Sequence, residues 1–292
     1  MALARRIISV TFQLATGSKP FNDADGSNSV TLDGLRTSAK ITKAGGAAMS
    51  TLDLRMYGMT KSVMDKLNTL GMAIRVFDSN YVTVQAGDDV NGVATVFYGS
   101  IVNCWADFQA QPDVALNCIA TEGLIPALKP SSPRSYTGPA DVAVILSGIA
   151  QEIGYDFENN GVKVILPKPY FFGSPRNQAY AAAKQANIGI ALDNKTLAIW
   201  NLGEARGGQI PLISPTTGMV GYPAYTSKGI AVKTVFNPAI GFQQKINIES
   251  SLTQASGEWT VYGLAHDLEA NTPNGQWFTM LEASRHLVTS SQ

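Results

Sequence analysis

The chain is poor in reactive side chains. Its 292 residues include two histidines and two cysteines, and charged residues make up only 15%, against roughly 25% in ordinary soluble domains. His266 and His286 are the side chains whose ordinary titration falls near neutral pH, and neither sits in a partner motif. His266 and Asp267 are neighbours in sequence, so on a strand they point to opposite faces and form no dyad with each other. A packed, hydrogen-bonding role suits His266 better than proton transfer. The nucleophile elbow Gly-x-Ser-x-Gly, the phosphate loop and the dinucleotide glycine fingerprint are all missing. No group of Cys and His has zinc-ligand spacing. The expectation is a protein that is not an enzyme, with no catalytic, cofactor-binding or metal-binding residues, no cofactor and no small-molecule substrate.

Long apolar runs and net charge are lacking too. No stretch approaches the roughly 18 apolar residues of a membrane span. Arg5-Arg6 ahead of Ile7–Leu14 superficially has the look of a twin-arginine export signal. However, Ser9, Thr11 and Gln13 alternate with Ile8, Val10, Phe12 and Leu14, which is the period of a half-buried strand rather than a continuous signal core. A soluble product made inside the cell is expected. Lys+Arg and Asp+Glu both total 22, so nothing pulls the whole chain toward nucleic acid or an anionic membrane. With 45% hydrophobic residues, few charges remain to cover the outside. One reading is a large, well-filled core. The favoured one is a surface largely covered by other subunits, because stable interfaces are depleted in charge. Cys104 and Cys118 lie symmetrically about Gln111, so a hairpin turning at Gln111-Pro112 sets them opposite each other. In a chain that is not secreted, reduced buried thiols are expected rather than a disulfide.

Three weaker constellations deserve weighing. Asp23-Ala24-Asp25-Gly26-Ser27-Asn28 has the flavour of a calcium loop, but the position that should hold a bidentate Glu is Gly34, so a polar turn is expected. Asp156 and Glu158 could act as paired glycosidase carboxylates; as alternating residues on one short strand they read better as a charged edge that discourages strand pairing. Trp105, Trp200, Trp259 and Trp277, scattered over strands, read as core or interface residues rather than a sugar platform. Tyr170-Phe171-Phe172, held between Pro169 and Gly173, is the first choice for a docking anchor.

What is present is alternation. The stretch Gly218–Ala283 contains period-two runs, such as Ile230–Phe236 and Lys245–Glu249, separated by Asn237-Pro238, Ala255-Ser256-Gly257 and Thr272-Pro273-Asn274-Gly275. These are marks of antiparallel strands. Residues 1–125 read similarly, with strands at Ile7–Leu14, Val30–Thr42, Ser50–Tyr57, Ala73–Phe77, Tyr81–Ala86, Thr95–Asp107 and Val114–Glu122. One short helix lies over Thr60–Gly71, with Ser62 and Asp65 at capping-box spacing. Pro126–Pro139 reads as a linker, and Pro139 as the first turn of a helix running to Gly154. Ile153–Val164 recurs as Ile188–Ile199, each copy following a helix (Pro139–Ile153, then Pro175–Asn187) and each expected to form a hairpin. A fainter echo relates Val96–Glu122 to Thr260–Glu282. The fold class expected is mainly β with a smaller α+β part. Its domains are a β-barrel over 1–125, a linker and helix–hairpin repeat over 126–205, and a second β-barrel over 206–292.

Val220-Gly221-Tyr222-Pro223, Phe236-Asn237-Pro238-Ala239-Ile240, Ile248-Glu249-Ser250-Ser251-Leu252, His266-Asp267-Leu268-Glu269 and Pro273-Asn274-Gly275-Gln276-Trp277-Phe278-Thr279 resemble the hub proteins of contractile phage tails. The likeness is dense over Gly218–Ala283 and looser over Thr95–Gly123. It implies two barrels similar to the tail-tube fold, flanking a small α/β domain. It also implies a homotrimer whose six barrels form a pseudo-sixfold ring, matching the tail tube or a tube-initiator protein on one side and the central spike on the other. Implied further partners are the tape measure protein, other baseplate proteins and phage DNA passing non-specifically through the lumen. The implied location is the tail baseplate of the virion, assembled in the host bacterial cytoplasm. With the chain ending soon after the second barrel, no fused lysozyme-like or spike domain is expected. The rival readings are a tail-associated peptidoglycan hydrolase and a carbohydrate-binding β protein.

Overall fold

The computed structural model describes residues 4–15, 18, 20, 21, 26–43, 45, 48–68, 80–109 and 111–285. The first third of the chain forms β1 (Arg6–Gln13), β2 (Ser29–Leu32), β3 (Thr37–Lys43), β4 (Thr51–Tyr57), α1 (Lys61–Leu67), β5 (Tyr81–Asp88), β6 (Gly92–Asp107) and β7 (Ala115–Thr121). The middle third holds α2 (Leu124–Leu128), β8 (Arg134–Ser135), β9 (Ala140–Asp141), α3 (Val142–Ile153), β10 (Asp156–Asn160), β11 (Ile165–Leu166), β12 (Tyr170–Phe171), α4 (Pro175–Ala186), β13 (Ile188–Asp193) and β14 (Thr196–Asn201). The last third supplies β15 (Leu212–Ile213), β16 (Met219–Thr226), β17 (Gly229–Val235), β18 (Lys245–Ile248), a 3-10 turn at Thr253–Ala255, β19 (Gly257–Ala270) and β20 (Trp277–Ser284). The protein is mainly antiparallel β, with helices confined to short segments.

The two terminal thirds, expected as flanking domains, share one 13-stranded sheet. Its main path runs β16-β17-β20-β19-β3-β4-β7-β6-β5-β1-β2, with β15 and β18 off that path. The join is made along β19. Its first residues, Gly257–Thr260, pair with β18. After a bulge between Val261 and Gly263, Leu264–Ala270 pair with β3, from Leu264↔Lys43 to Ala270↔Thr37. A bulge adds a residue to one strand and increases its local twist, so a single strand serves two neighbours on the same side. β6 is likewise long: its first half pairs with β5 and its second half with β7, across a bulge between Ile101 and Asn103. Along β3 and β4 the buried positions alternate, with Ala39, Ile41, Leu52, Leu54 and Met56 inward and Lys40, Asp53 and Arg55 outward. This is the period-two pattern of a sheet with one wet face. One hydrophobic cluster lies under the first third and draws in Phe236, Leu268, Ala270 and Trp277 from the last; another lies within the last third around Ile230, Ile246, Val261 and Leu281.

The middle third packs α3 and α4 around a third cluster that includes Ile145, Leu146, Ile149, Ala179, Ala183, Leu197 and Ile199. Here the expected pair of helix–hairpin units is half right. The second copy is a hairpin, β13–β14, turning at Asn194-Lys195. The first is not: β10 pairs in parallel with β14, and the chain then leaves the sheet to place β11 against β9. Asn159 and Asn160 therefore lie on a strand, where Asn159 bonds Val162 and Asn160 bonds Glu158. α4 starts as expected on Ser174, whose hydroxyl accepts from Asn177 N, and its alanines are buried. Gly189 lets β13 approach Trp200 closely, since a Cβ there would lie 2.2 Å from the indole.

Other corrections are local. Val30–Thr42 is two strands, β2 and β3, broken at Gly34, which sits at φ +71°. α1 begins after Thr60, so Ser62 and Asp65 form no capping box. Pro126–Pro139 is not a bare linker: Pro126 is inside α2 and Arg134–Ser135 pair with β12. The helix start assigned to Pro139 belongs to Asp141, whose carboxylate accepts from Ala143 N. The expected strand Ala73–Phe77, the first half of the candidate calcium loop (Asp23–Asp25) and His286 lie outside the described residues. No helix among the described residues is long and apolar enough to cross a membrane.

Candidate functional site

The three parts of the chain meet at one buried ionic junction. Lys43 ends β3, Glu122 follows β7, Asp193 and Asn194 turn β13 into β14, Glu158 lies on β10, and Arg206 stands where the chain leaves the middle third. Lys43 Nζ lies 2.8 Å from Asp193 Oδ1, 2.6 Å from Asn194 Oδ1 and 3.6 Å from Glu122 Oε2. Arg206 takes Glu158 in a fork, at 2.7 Å and 3.1 Å, and reaches Asp193 Oδ2 at 3.0 Å and the Phe242 carbonyl at 3.4 Å. Asn160 extends the network by accepting from Gly207 N. Lys43 and Glu122 are almost wholly out of solvent, at 4% and 1% side-chain exposure, so their interaction is little screened.

Burial and pairing divide the carboxylates. Burial pushes Asp193 up, yet Lys43 and Arg206 outweigh it and hold the acid at about 2. Hydrogen bonds from Arg206 keep Glu158 below its ordinary value. Burial pushes Glu122 up to about 7, with Lys43 offsetting only part of the penalty. Burial alone would lower Lys43, but Asp193 and Glu122 reverse that and raise it. His266 sits beside this cluster on β19. Burial, reinforced by the Lys43 charge, lowers it to about 3, and its Nδ1 lies 2.9 Å from Thr279 Oγ1 with Phe236 edge-on. It is a neutral packed imidazole.

Among the described residues, none of the sequence's reactive candidates converge. Asp156 is exposed while Glu158 is spent on Arg206. Trp200, Trp259 and Trp277 are buried and Trp105 is half-exposed, which breaks the platform needed to stack sugars. Cys104 and Cys118 face each other across β6 and β7 as buried thiols not joined by a disulfide. Of the aromatic triplet, Phe171 is buried, while Tyr170 and Phe172 project with ring centres 6.1 Å apart. No cluster of three or more His, Cys, Asp or Glu side chains among the described residues could hold a metal. The junction itself was missed. Its one signal was Lys43, a charge in phase with the inward positions Ala39 and Ile41. A cavity of about 550 Å³ beside it is lined by Gly203–Ile210, Lys245, Thr260 and Arg285.

The remaining surface is mixed in character. The outward face of the sheet carries Lys40, Asp53, Arg55, Asp267, Glu269 and Lys233 in neighbouring rows, and β16 at the end of the path exposes Val220, Tyr222 and Tyr225. The fold is shared with phage tail proteins. The 43 kDa tail protein of prophage MuSo2 from Shewanella oneidensis superposes with a TM-score of 0.58 at 9% identity, over 95% of this chain and 96% of that one. A tail protein from Neisseria meningitidis MC58 gives 0.62 at 8% identity, over 97% and 98%. An E. coli component of the type VI secretion system, described as structurally similar to the T4 bacteriophage tail proteins gp27 and gp5, gives 0.55 at 10% identity, over 96% of this chain and 78% of that one. No curated protein matches in sequence. The model of one family, baseplate hub gp41, matches residues 7–280. By that match, spanning nearly the whole sequence, this chain belongs to the baseplate hub gp41 family of phage tail structural proteins.

Proposed function

We propose that the protein forms a threefold ring that adapts a sixfold tail tube to a threefold spike and surrounds the channel through which DNA leaves. The observation that carries this reading is the sheet built from two long bulged hairpins, β6–β7 and β19–β20, joined through β3 and β4. Two related hairpins per chain give six per trimer, which is the count a sixfold partner requires. In this reading residues 1–125 and 206–292 are the two tube-like units and residues 126–205 stand between them. The polar outward face of the sheet, mixed in charge sign, suits a water-filled channel that lets a polyanion pass without holding it. The scarcity of charge, at 15% of residues, is consistent with extensive subunit contact. Tube or tube-initiator, spike, tape measure and other baseplate proteins are the partners, the virion baseplate is the location, and the role is structural rather than enzymatic.

The mass of the purified chain, alone and mixed with the tube and spike proteins of the same phage, tests the reading. A trimer, or a ring of three copies that forms only with those partners, is expected. A chain that stays monomeric and co-assembles with neither partner overturns it. Turnover of peptidoglycan by the pure protein would replace it with the hydrolase.

A further inference from the structure

The junction holds two cations, Lys43 and Arg206, and three carboxylates, Asp193, Glu158 and Glu122. The pairing is unequal. Asp193 receives both cations, and Glu158 receives the two-pronged Arg206 contact. Glu122 receives only a 3.4 Å contact from Lys195 N on Oε1, the nearby Ser50 hydroxyl and a Lys43 ammonium 3.6 Å from Oε2; Oε2 is buried without a hydrogen-bond partner. With all three acids ionised the cluster carries one uncompensated negative charge, and on Glu122, at 1% side-chain exposure, such a charge is costly. A proton on Glu122 balances the count at two and two.

We propose that Glu122 is a proton-operated latch between the sheet and the middle third. Protonated, it leaves Lys43 to Asp193 and Asn194, which ties the β13–β14 turn to the end of β3. When the proton passes to solvent, the new carboxylate competes for the Lys43 ammonium and repels Asp193, and the turn loosens. The groups facing Glu122 from the surrounding elements are Lys43 on β3, Asp193 on β13, Tyr155 after α3 and Tyr180 on α4. His266 on β19 faces Lys43 and Asp193 and stays neutral throughout; both tyrosines are pushed upward by burial and keep their protons. Glu122 alone among the facing groups therefore changes charge near neutrality. The latch is a property of the folded chain and does not depend on the threefold reading.

The test is hydrogen exchange at the Asn194 and Lys195 amides of the full chain at pH 6 and pH 8, corrected for intrinsic exchange, beside Glu122→Gln. For a carboxyl moving from about 4.5 unfolded to about 7 folded, the opening constant should rise about tenfold between those pH values. In Glu122→Gln, which mimics the protonated acid, it should change less than about twofold. A flat wild type, or the same rise in the variant, overturns the proposal. Should the variant fail to fold, the wild-type infrared difference spectrum decides. A protonated carboxylic acid carbonyl band present at pH 6 and lost by pH 8 upholds the latch, and its absence at pH 6 overturns it.

Discussion

Arg206→Met removes the one guanidinium that joins Glu158 to Asp193 while keeping most of the side-chain volume. Arg206 is 7% exposed, Asp193 14% and Glu158 34%. Deleting one member of a buried ion pair costs about 3–5 kcal/mol, because the partner charge is left without compensation. Water reaches Glu158 and recovers part of that loss, which places the expected cost near the lower end, about 3 kcal/mol. In a chain of this length that corresponds to a fall in Tm of roughly 5 °C. Pairing the change with Asp193→Asn separates the causes. If the cost is the stranded Asp193 charge, the double variant should recover about half of it, since Lys43 then serves Glu122 and Asn194 alone. The acid limb should move as well. Asp193 folded titrates at about 2, below its unfolded value, so its contribution is present above about pH 4 and lost as pH falls through about 2; without Arg206 the loss should be smaller and complete at higher pH. Urea or thermal unfolding at pH 7 and pH 3 reads all of this. A single variant within about 0.5 kcal/mol of wild type at pH 7 would show that the junction does not bind the three parts together.

His266→Gln should flatten the acid sensitivity. The wild-type imidazole titrates at about 3 when folded and near 6.5 when unfolded, so its contribution is present above about pH 6.5 and lost as pH falls. Near pH 4 the wild type should therefore have lost roughly 3 kcal/mol that the variant has not, measured as the difference in urea midpoints at pH 7 and pH 4. Gly189→Ala should cost about 1–3 kcal/mol by driving a methyl into Trp200, and shift the tryptophan emission. Asp141→Ala should cost about 1 kcal/mol by uncapping α3, visible in thermal unfolding. Phe172→Ser should leave Tm within about 1 °C, because the ring is 70% exposed; loss of co-assembly with a baseplate partner at unchanged Tm would identify Phe172 as a docking residue.

Sequence periodicity was informative wherever a strand had one wet face. Thr51–Tyr57 and Ile230–Val235 alternate cleanly and fold as read, because register errors there would turn every apolar side chain outward. The α4 start was equally legible, since Ser174-Pro175 is a local signal answered by a local bond. What escaped was non-local. Ile153–Val164 and Ile188–Ile199 look alike, but β10 finds a parallel partner in β14, and Val162–Val164 is drawn off so that β11 can meet β9. Nothing in a twelve-residue window records that choice. The junction was nearly invisible for the same reason: its members come from all three parts of the chain, and apart from Lys43, in phase with the inward side of β3, each alone reads as an ordinary surface charge.

The pairing of β19 with β3 also orders events in time. Asn271 donates to the Leu35 carbonyl across 236 positions, and Arg6 reaches the Gly275 carbonyl across 269. As the ribosome delivers the chain from its N-terminus, β3 waits with one edge bare, and the first hydrophobic cluster lacks Phe236, Leu268, Ala270 and Trp277. Contacts this distant are slow to form and leave strand edges exposed in the meantime. The middle third, whose cluster is closed by nearby residues, is free to fold first. A nascent chain stopped after β14 would then carry one finished unit and one unfinished sheet.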